Sequence, residues 1–357
     1  MASHFNPDLL RVARQARGLS QAELHTQSGV SQSTISKLES GLSEPMEDVL
    51  QKLAQALRYP PTLFFEPDQI VGLPISVHPQ YRKRASVGQR SLAQLEAEMN
   101  LRLMHIRRLL RSLEYRAERE MPRMDIDDYE SPEQIAEFVR RTWMIPNGPL
   151  RNLVDAVERA GCIVIHSDFD GRSVDGVTQR VPGLPPCIFL NRNMPADRQR
   201  FTLAHEVGHI VMHRVPTPDM EQEANEFASA LLMPARDIRA SLTGGLTLGR
   251  LGALKLEWRV SMAALVFRAR RLGVISEYEN RQAWSRTLAR YRTKEPVQFD
   301  LPLELPSILA AMVRYHLKDL GFSVGDLATV FHANVDDIRA LYELGNETPS
   351  SGLRIVR

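Results

Sequence analysis

Apolar positions along this chain recur mostly at helical spacing, and few stretches break that rule. Leu9, Leu10, Val12 and Ala13 share one face of a first helix, and Ser20 with Glu23 three residues on forms a capping box that opens a second. Gly29, Val30 and Ser31 turn the chain, and the third helix that starts there buries Ile35 and Leu38. Further on, Leu92, Leu95, Met99, Leu103, Ile106, Leu110 and Leu113 alternate steps of three and four residues, as a heptad seam does. Two accounts of that stripe stay open: a coil with a second copy in a homodimer, or packing on the later domain of its own chain. Arg102, Arg107, Arg108, Arg111, Arg116 and Arg119 are expected to decorate the same region as a solvated basic face.

The middle of the chain changes rhythm. Helices are expected from Ser131 to Trp143 and from Asn147 or Pro149 to Ala160, with short apolar runs at 162–166 and 187–190 reading as strands. Asn193 and Pro195 open another helix, and the run from Glu221 reads as a further one that ends at Pro234. Two later helical stretches cover 246–272 and 305–344. The fold expected is therefore mostly α, with a small α+β core and an N-terminal all-α helix-turn-helix domain.

Chemistry concentrates in His205-Glu206-Val207-Gly208-His209, which lies on the helix opened by Pro195. Residues four apart on a helix stand about 40° apart around the axis, so His205 and His209 can offer their imidazoles to one zinc ion. Glu206 points to the side of that pair, where it can take a proton from water activated at the metal and pass it to a leaving amine. Gly208 lets another segment or a substrate backbone come close. A third ligand is required, and Glu221, Ala224, Asn225, Ala228 and Leu232 share one stripe of the following helix, with small residues suited to tight packing. That makes Glu221 the expected ligand, with Glu223 the alternative or a solvated charge. Asn225 is then placed to hold a ligand histidine by its other ring nitrogen. His213 has drifted about 80° from His205 and reads as a supporting or packing residue. His166, at the end of a strand, is a candidate to stabilise an oxyanion, with a structural role the alternative.

The stretch from Arg200 to His209, followed by Glu221-x-x-Ala224-Asn225-x-Phe227-Ala228 and Leu231-Leu232-Met233-Pro234, resembles the ImmA/IrrE family of metallopeptidases. The likeness extends upstream through Val174-Asp175-Gly176, Pro186-Cys187-Ile188 and 190–195. It implies a zinc-dependent endopeptidase with ligands that map onto His205, His209 and Glu221 and a base that maps onto Glu206. It also implies a repressor-type protein as substrate, and a second helix-turn-helix-like unit after the peptidase core. Residues 7–67 resemble the XRE, or Cro and phage-repressor type, helix-turn-helix. There Gln32, Ser33, Ser36 and Lys37 face outward, able to read base edges of a double-stranded operator, while Gln21 and Thr34 could hold phosphates at helix starts. A helical protein-interaction module is the alternative for this domain.

Together these readings divide the chain into a DNA-binding domain at 1–70, a linker and long helix at 71–126, and a zinc-peptidase-like domain at 127–240. A helix-turn-helix-like unit at 241–290 and a helical region at 291–357 complete it. The linker draws on the turn formers and basic residues Gly72, Pro74, Pro79, Arg82, Lys83, Arg84 and Gly88. No chemistry is evident in the last region, and its Asp336 and Asp337 argue against contact with a phosphate backbone.

Composition narrows rather than directs. With 357 residues and 43% hydrophobic content the chain can bury two or three cores. A net charge of +2 means that affinity for nucleic acid has to come from a local patch. Cys162 and Cys187 sit in apolar runs and read as buried thiols. Neither a secretory signal core nor a run of roughly 18 apolar residues occurs, so a cytoplasmic protein without membrane contact is expected. Two functions from different classes remain: a zinc endopeptidase directed by its DNA-binding domain, or a transcription factor whose zinc domain senses a ligand or holds the fold.

Overall fold

The computed structural model describes residues 4–72, 88–129, 131–169, 174–291 and 294–344. Its helices are α1 (Pro7–Ala16), α2 (Gln21–Ser28), α3 (Gln32–Glu39), α4 (Glu47–Leu57), α5 (Gln89–Leu109), α6 (Pro132–Thr142) and α7 (Leu153–Arg159). Strands β1 (Ile163–Ser167), β2 (Gly176–Gln179) and β3 (Cys187–Asn191) follow. Then come α8 (Ala196–Met212), α9 (Met220–Leu232), a single turn at Ala235–Ile238, α10 (Leu248–Trp258), α11 (Met262–Arg271) and α12 (Glu277–Gln282). The last helices are α13 (Ile308–Lys318), α14 (Val324–Phe331) and α15 (Val335–Leu341). The expectation of a mostly helical chain with a small sheet holds. Most of the linker expected over 70–91, including Pro74, Pro79, Arg82, Lys83 and Arg84, lies outside the described residues.

The described residues form two compact units, one drawing on residues 4–72, 88–115 and 307–344 and one on the middle of the sequence (116–129, 131–169, 174–291 and 294–306). In the first, local signals act as the sequence implied. Ser20 and Glu23 form the capping box of α2, Gly29 ends it in the left-handed conformation with φ 71°, and Ser31 caps α3. Leu9, Leu10, Leu24, Ile35, Leu38, Leu53 and Phe64 close the core, joined by Met104 of α5.

Helix α5 departs from both accounts of its stripe. Leu95, Met99, Leu103 and Ile106 are buried, and the elements packed on α5 are α1, α13 and α14, all of the same unit. An apolar stripe shows that a face is covered; it does not name the cover. The basic face is solvated only in part: Arg111 and Arg116 are exposed, but Arg108 bonds Glu66 and Asp68 at 2.9 Å each, Arg107 bonds Asp68 at 2.9 Å, and Arg102 lies over the ring of Tyr342. The helix ends at Leu109, so Leu113, Arg116 and Arg119 lie beyond it. Asp337 also has an internal use, accepting from Arg17 at 2.5 Å.

In the second unit the sheet order is β1-β3-β2, with β1 parallel and β2 antiparallel to β3. Sequence reading had no strand at β2. Its four residues include a glycine, and what makes them a strand is the pairing of Val177 with Phe189 and Thr178 with Ile188, about ten residues away in sequence. Helix α7 begins at Leu153, several residues later than expected, because Asn152 accepts from the Asp155 amide at 3.0 Å and caps it there. One apolar core containing Trp143, Val157, Ile188, Leu203, Val207, Phe227, Leu231, Trp258 and Leu265 runs under α6 to α11.

Helices α8 and α9 pack closely, and Gly208 is the reason they can. A Cβ at that position would meet Phe227 Cδ1 at 3.1 Å and Ala224 Cα at 3.3 Å. The approaching segment anticipated for Gly208 is thus α9. Carbonyls at the end of α9 that lack a helical partner are taken by buried arginines: Arg140 donates to Leu231 O at 2.8 Å and Arg268 to Met233 O at 2.9 Å. At the start of α8, Arg200 bonds Glu304, whose other carboxylate oxygen accepts from the first amides of α7, Leu153 at 2.8 Å and Val154 at 3.2 Å. Among the described residues, no helix is long and apolar enough to cross a membrane.

Candidate metal centre

The close packing of α8 on α9 brings three donors together. His205 Nε2 and His209 Nε2 are 3.0 Å apart, and the carboxylate of Glu221 lies 3.5 Å from the first and 3.4 Å from the second. In a tetrahedral zinc site with bonds of about 2.0–2.2 Å, neighbouring donor atoms stand about 3.3–3.5 Å apart. The edges of this triangle match that spacing to within a few tenths of an ångström, and two imidazoles with one carboxylate are the donor set of hydrolytic zinc sites. These residues could therefore hold a divalent metal; among the described residues they are the group that brings three such donors within 4.8 Å of one another.

The outer nitrogens are occupied in a way that aims the inner ones. His205 Nδ1 lies 3.1 Å from Asn225 Oδ1, an acceptor, so that nitrogen carries the proton and Nε2 presents its lone pair. His209 Nδ1 lies 2.9 Å from His213 Nδ1, and His213 Nε2 lies 2.9 Å from Glu223 Oε2. The arrangement that satisfies both contacts has His213 donating to Glu223 and accepting from His209, which leaves His209 Nε2 free to bind a cation. Burial holds the pKa of His213 below the usual value, opposed by Glu223, in keeping with a neutral ring there. Burial also opposes charge on His205, but the Glu221 hydrogen bond and the Glu206 and Glu221 carboxylates outweigh it and raise the pKa. Glu223, read from sequence as an alternative ligand or a solvated charge, instead anchors His213.

Glu206 is buried beside the cluster, and its Oε2 accepts a 2.6 Å bond from Thr178 Oγ1 of β2. Arg180, just past β2, donates to His209 O. Sequence reading found neither contact, since both depend on where β2 falls. His166 sits on β1, separated from β2 by β3. Cys162 and Cys187 are buried and unbridged, and burial pushes the Cys187 thiol well up and raises the Cys162 thiol to about 12.

In the first unit, Gln32, Ser33, Ser36 and Lys37 are exposed on α3 and Thr34 is half-buried. Gln21 donates to Glu39 Oε2 at 2.9 Å, joining a buried pair in which Arg14 bonds both Glu39 oxygens at 2.6 and 2.7 Å. The exposed polar set thus stands on a helix whose far side is fixed by Ile35, Leu38 and Glu39.

Residues 157–270 match the family model of the IrrE N-terminal-like domain, peptidase family M78, and residues 10–64 match that of the helix-turn-helix family. The chain joins a helix-turn-helix domain to an IrrE-like domain. No curated protein matches it. Among solved structures, ComR from S. thermophilus, in complex with DNA and its signalling peptide ComS, aligns over 94% of this chain and 98% of its own, at 13% identity and a TM-score of 0.16. A likeness so slight carries no argument. The helix-turn-helix domain implies a DNA-binding regulator, and the IrrE-like domain a metallopeptidase-type fold; the latter match spans β1 to α11 and so includes His205, His209, Glu221 and Thr178.

Proposed function

We propose that the protein is a cytoplasmic DNA-binding regulator whose IrrE-like domain is a zinc-dependent endopeptidase that cleaves a repressor-type protein. The observation that carries this reading is the cluster of His205, His209 and Glu221 with the Glu206 carboxylate beside it. Bound there, zinc would lower the pKa of water toward about 7 and polarise a peptide carbonyl. His205, His209 and Glu221 serve as ligands, Asn225 and His213 fix the two rings, and Glu206 takes the proton of the attacking water and hands it to the departing amine. Strand β2 lies at the edge of the sheet order, and an extended substrate segment pairing with it would pass along α8. Gln32, Ser33, Ser36 and Lys37 read base edges of a double-stranded operator, with Gln21 and Thr34 near the phosphates.

The test is to incubate the zinc-loaded protein with lysate and map new peptide termini, against the same protein stripped of metal. Termini that appear only with zinc and converge on one protein support the reading; zinc uptake without new termini would leave the domain a sensor or structural module. Two further outcomes are expected. Asn225→Ala and His213→Ala should each lower zinc affinity about 10–100-fold, followed by competition with a chromophoric chelator. Unchanged affinity in both would remove them from the site. Gln32→Ala with Lys37→Ala should weaken specific operator binding by about 1–3 kcal/mol per lost base contact, measured by gel shift, with zinc content unaltered. Equal binding to any promoter fragment before and after substitution would favour a protein-interaction module.

A further inference from the structure

Strand β2 runs along α8 with its alternate positions in step with the helix. A Cβ on Gly176 would stand 2.6 Å from Thr202 Cγ2; Thr178 bonds Glu206; Arg180 bonds the His209 carbonyl. From Gly176 to Thr178 the strand advances about 6.7 Å and from Thr202 to Glu206 the helix advances about 6 Å, so the first two contacts fall in step; the next helical step, Glu206 to His209, is about 4.5 Å, and the long side chain of Arg180 spans the difference. The missing side chain at Gly176 lets the backbone approach closely enough for the threonine to reach. Thr178 is pinned in turn, by backbone pairing with Ile188 and by a β-branched side chain with few χ1 choices. A glutamate has three side-chain torsions, the last of them broad, and a carboxylate beside a cationic site would otherwise sample many orientations.

We infer that Thr178 is the positioning residue for Glu206: its hydroxyl holds Oε2, fixing the carboxylate plane so that Oε1 is the oxygen presented to the reacting proton. At 2.6 Å the contact is a short, well-formed hydrogen bond in which the hydroxyl donates to Oε2. Arg180 acts on the same helix one turn further on, steadying the carbonyl of a ligand residue. The inference rests on the proposed role of Glu206, and the experiment separates the two.

Acetohydroxamic acid serves as the probe, a bidentate zinc chelator whose N–O–H group donates a hydrogen bond to an adjacent carboxylate. Its affinity is measured for the fully zinc-loaded full chain as wild type, Thr178→Val, Thr178→Ala and Thr178→Ser, and for Glu206→Gln alone and combined with Thr178→Val. Zinc content should not differ among them. Loss of the hydroxyl is expected to weaken the probe about tenfold in both Thr178→Val and Thr178→Ala, and serine to restore it to within about threefold. In the Glu206→Gln background, Thr178→Val should change affinity by less than about twofold, because an amide held by its oxygen presents N–H groups and no acceptor to the probe. No weakening, or the same weakening in both backgrounds, overturns the positioning role while leaving Glu206 as base. Affinity that Glu206→Gln itself does not alter, or a chain that takes up no zinc, overturns the parent reading and this inference with it.

Discussion

Glutamine in place of Glu206 is expected to leave zinc bound and to slow peptide-bond cleavage by about 10²–10⁴-fold. Glutamine has nearly the shape of glutamate, and the three donors that would hold zinc are His205, His209 and Glu221, so the metal should stay. What changes is chemical. An amide oxygen can still accept the Thr178 hydroxyl, but the group cannot take up a proton at neutral pH, and both proton transfers of hydrolysis lose their carrier. Elemental analysis of the purified variant gives the first half of the result, and the rate of appearance of the new peptide termini gives the second. Turnover equal to wild type at full zinc occupancy would remove Glu206 from the scheme.

Glu304→Ala should destabilise the middle unit by about 3–5 kcal/mol, read from urea unfolding followed by tryptophan fluorescence. The carboxylate is buried and does three things: it pairs with Arg200 on α8, accepts from Arg259 at 3.3 Å, and takes the first amides of α7. Arg200 is 3% exposed. Deleting its partner leaves a guanidinium in the interior with the carbonyls of Leu150 and Arg259 and no counter-charge, while two amides at a helix start lose their acceptor. Glu304→Gln keeps the shape and one acceptor and should cost less. An unfolding midpoint unmoved by Glu304→Ala would mean that water reaches Arg200 and that the pair is not closed off.

The parts of this fold that were legible in the sequence are those whose cause is local. The capping box of Ser20 and Glu23, the left-handed turn at Gly29 and the start of α8 after Pro195 each need only neighbours within four residues. The donors on α8 and α9 were legible for a similar reason: a helical period orders His205 and His209, and the small stripe with Glu221 marks the face that packs. What escaped depends on partners distant in sequence. Strand β2 exists because β3 lies beside it, so Thr178 carried no sign of its contact with Glu206. Gln21 could be placed at a helix start but not against Glu39, and the stripe of α5 could be seen to be covered but not by α13 and α14. Glu223 looked solvated because its partner, His213, stands just past the end of the other helix.

Helices α13 to α15 belong to the same compact unit as α1 to α5, although some two hundred residues of other structure intervene. A ribosome therefore delivers the two parts of that unit with the whole middle unit between them, at about 5–20 residues per second. For the roughly ten to forty seconds between, the surface that Phe331 and Tyr342 will cover on His105 stands open to other proteins, so a nascent chain has a window for misassembly or capture that the finished one lacks.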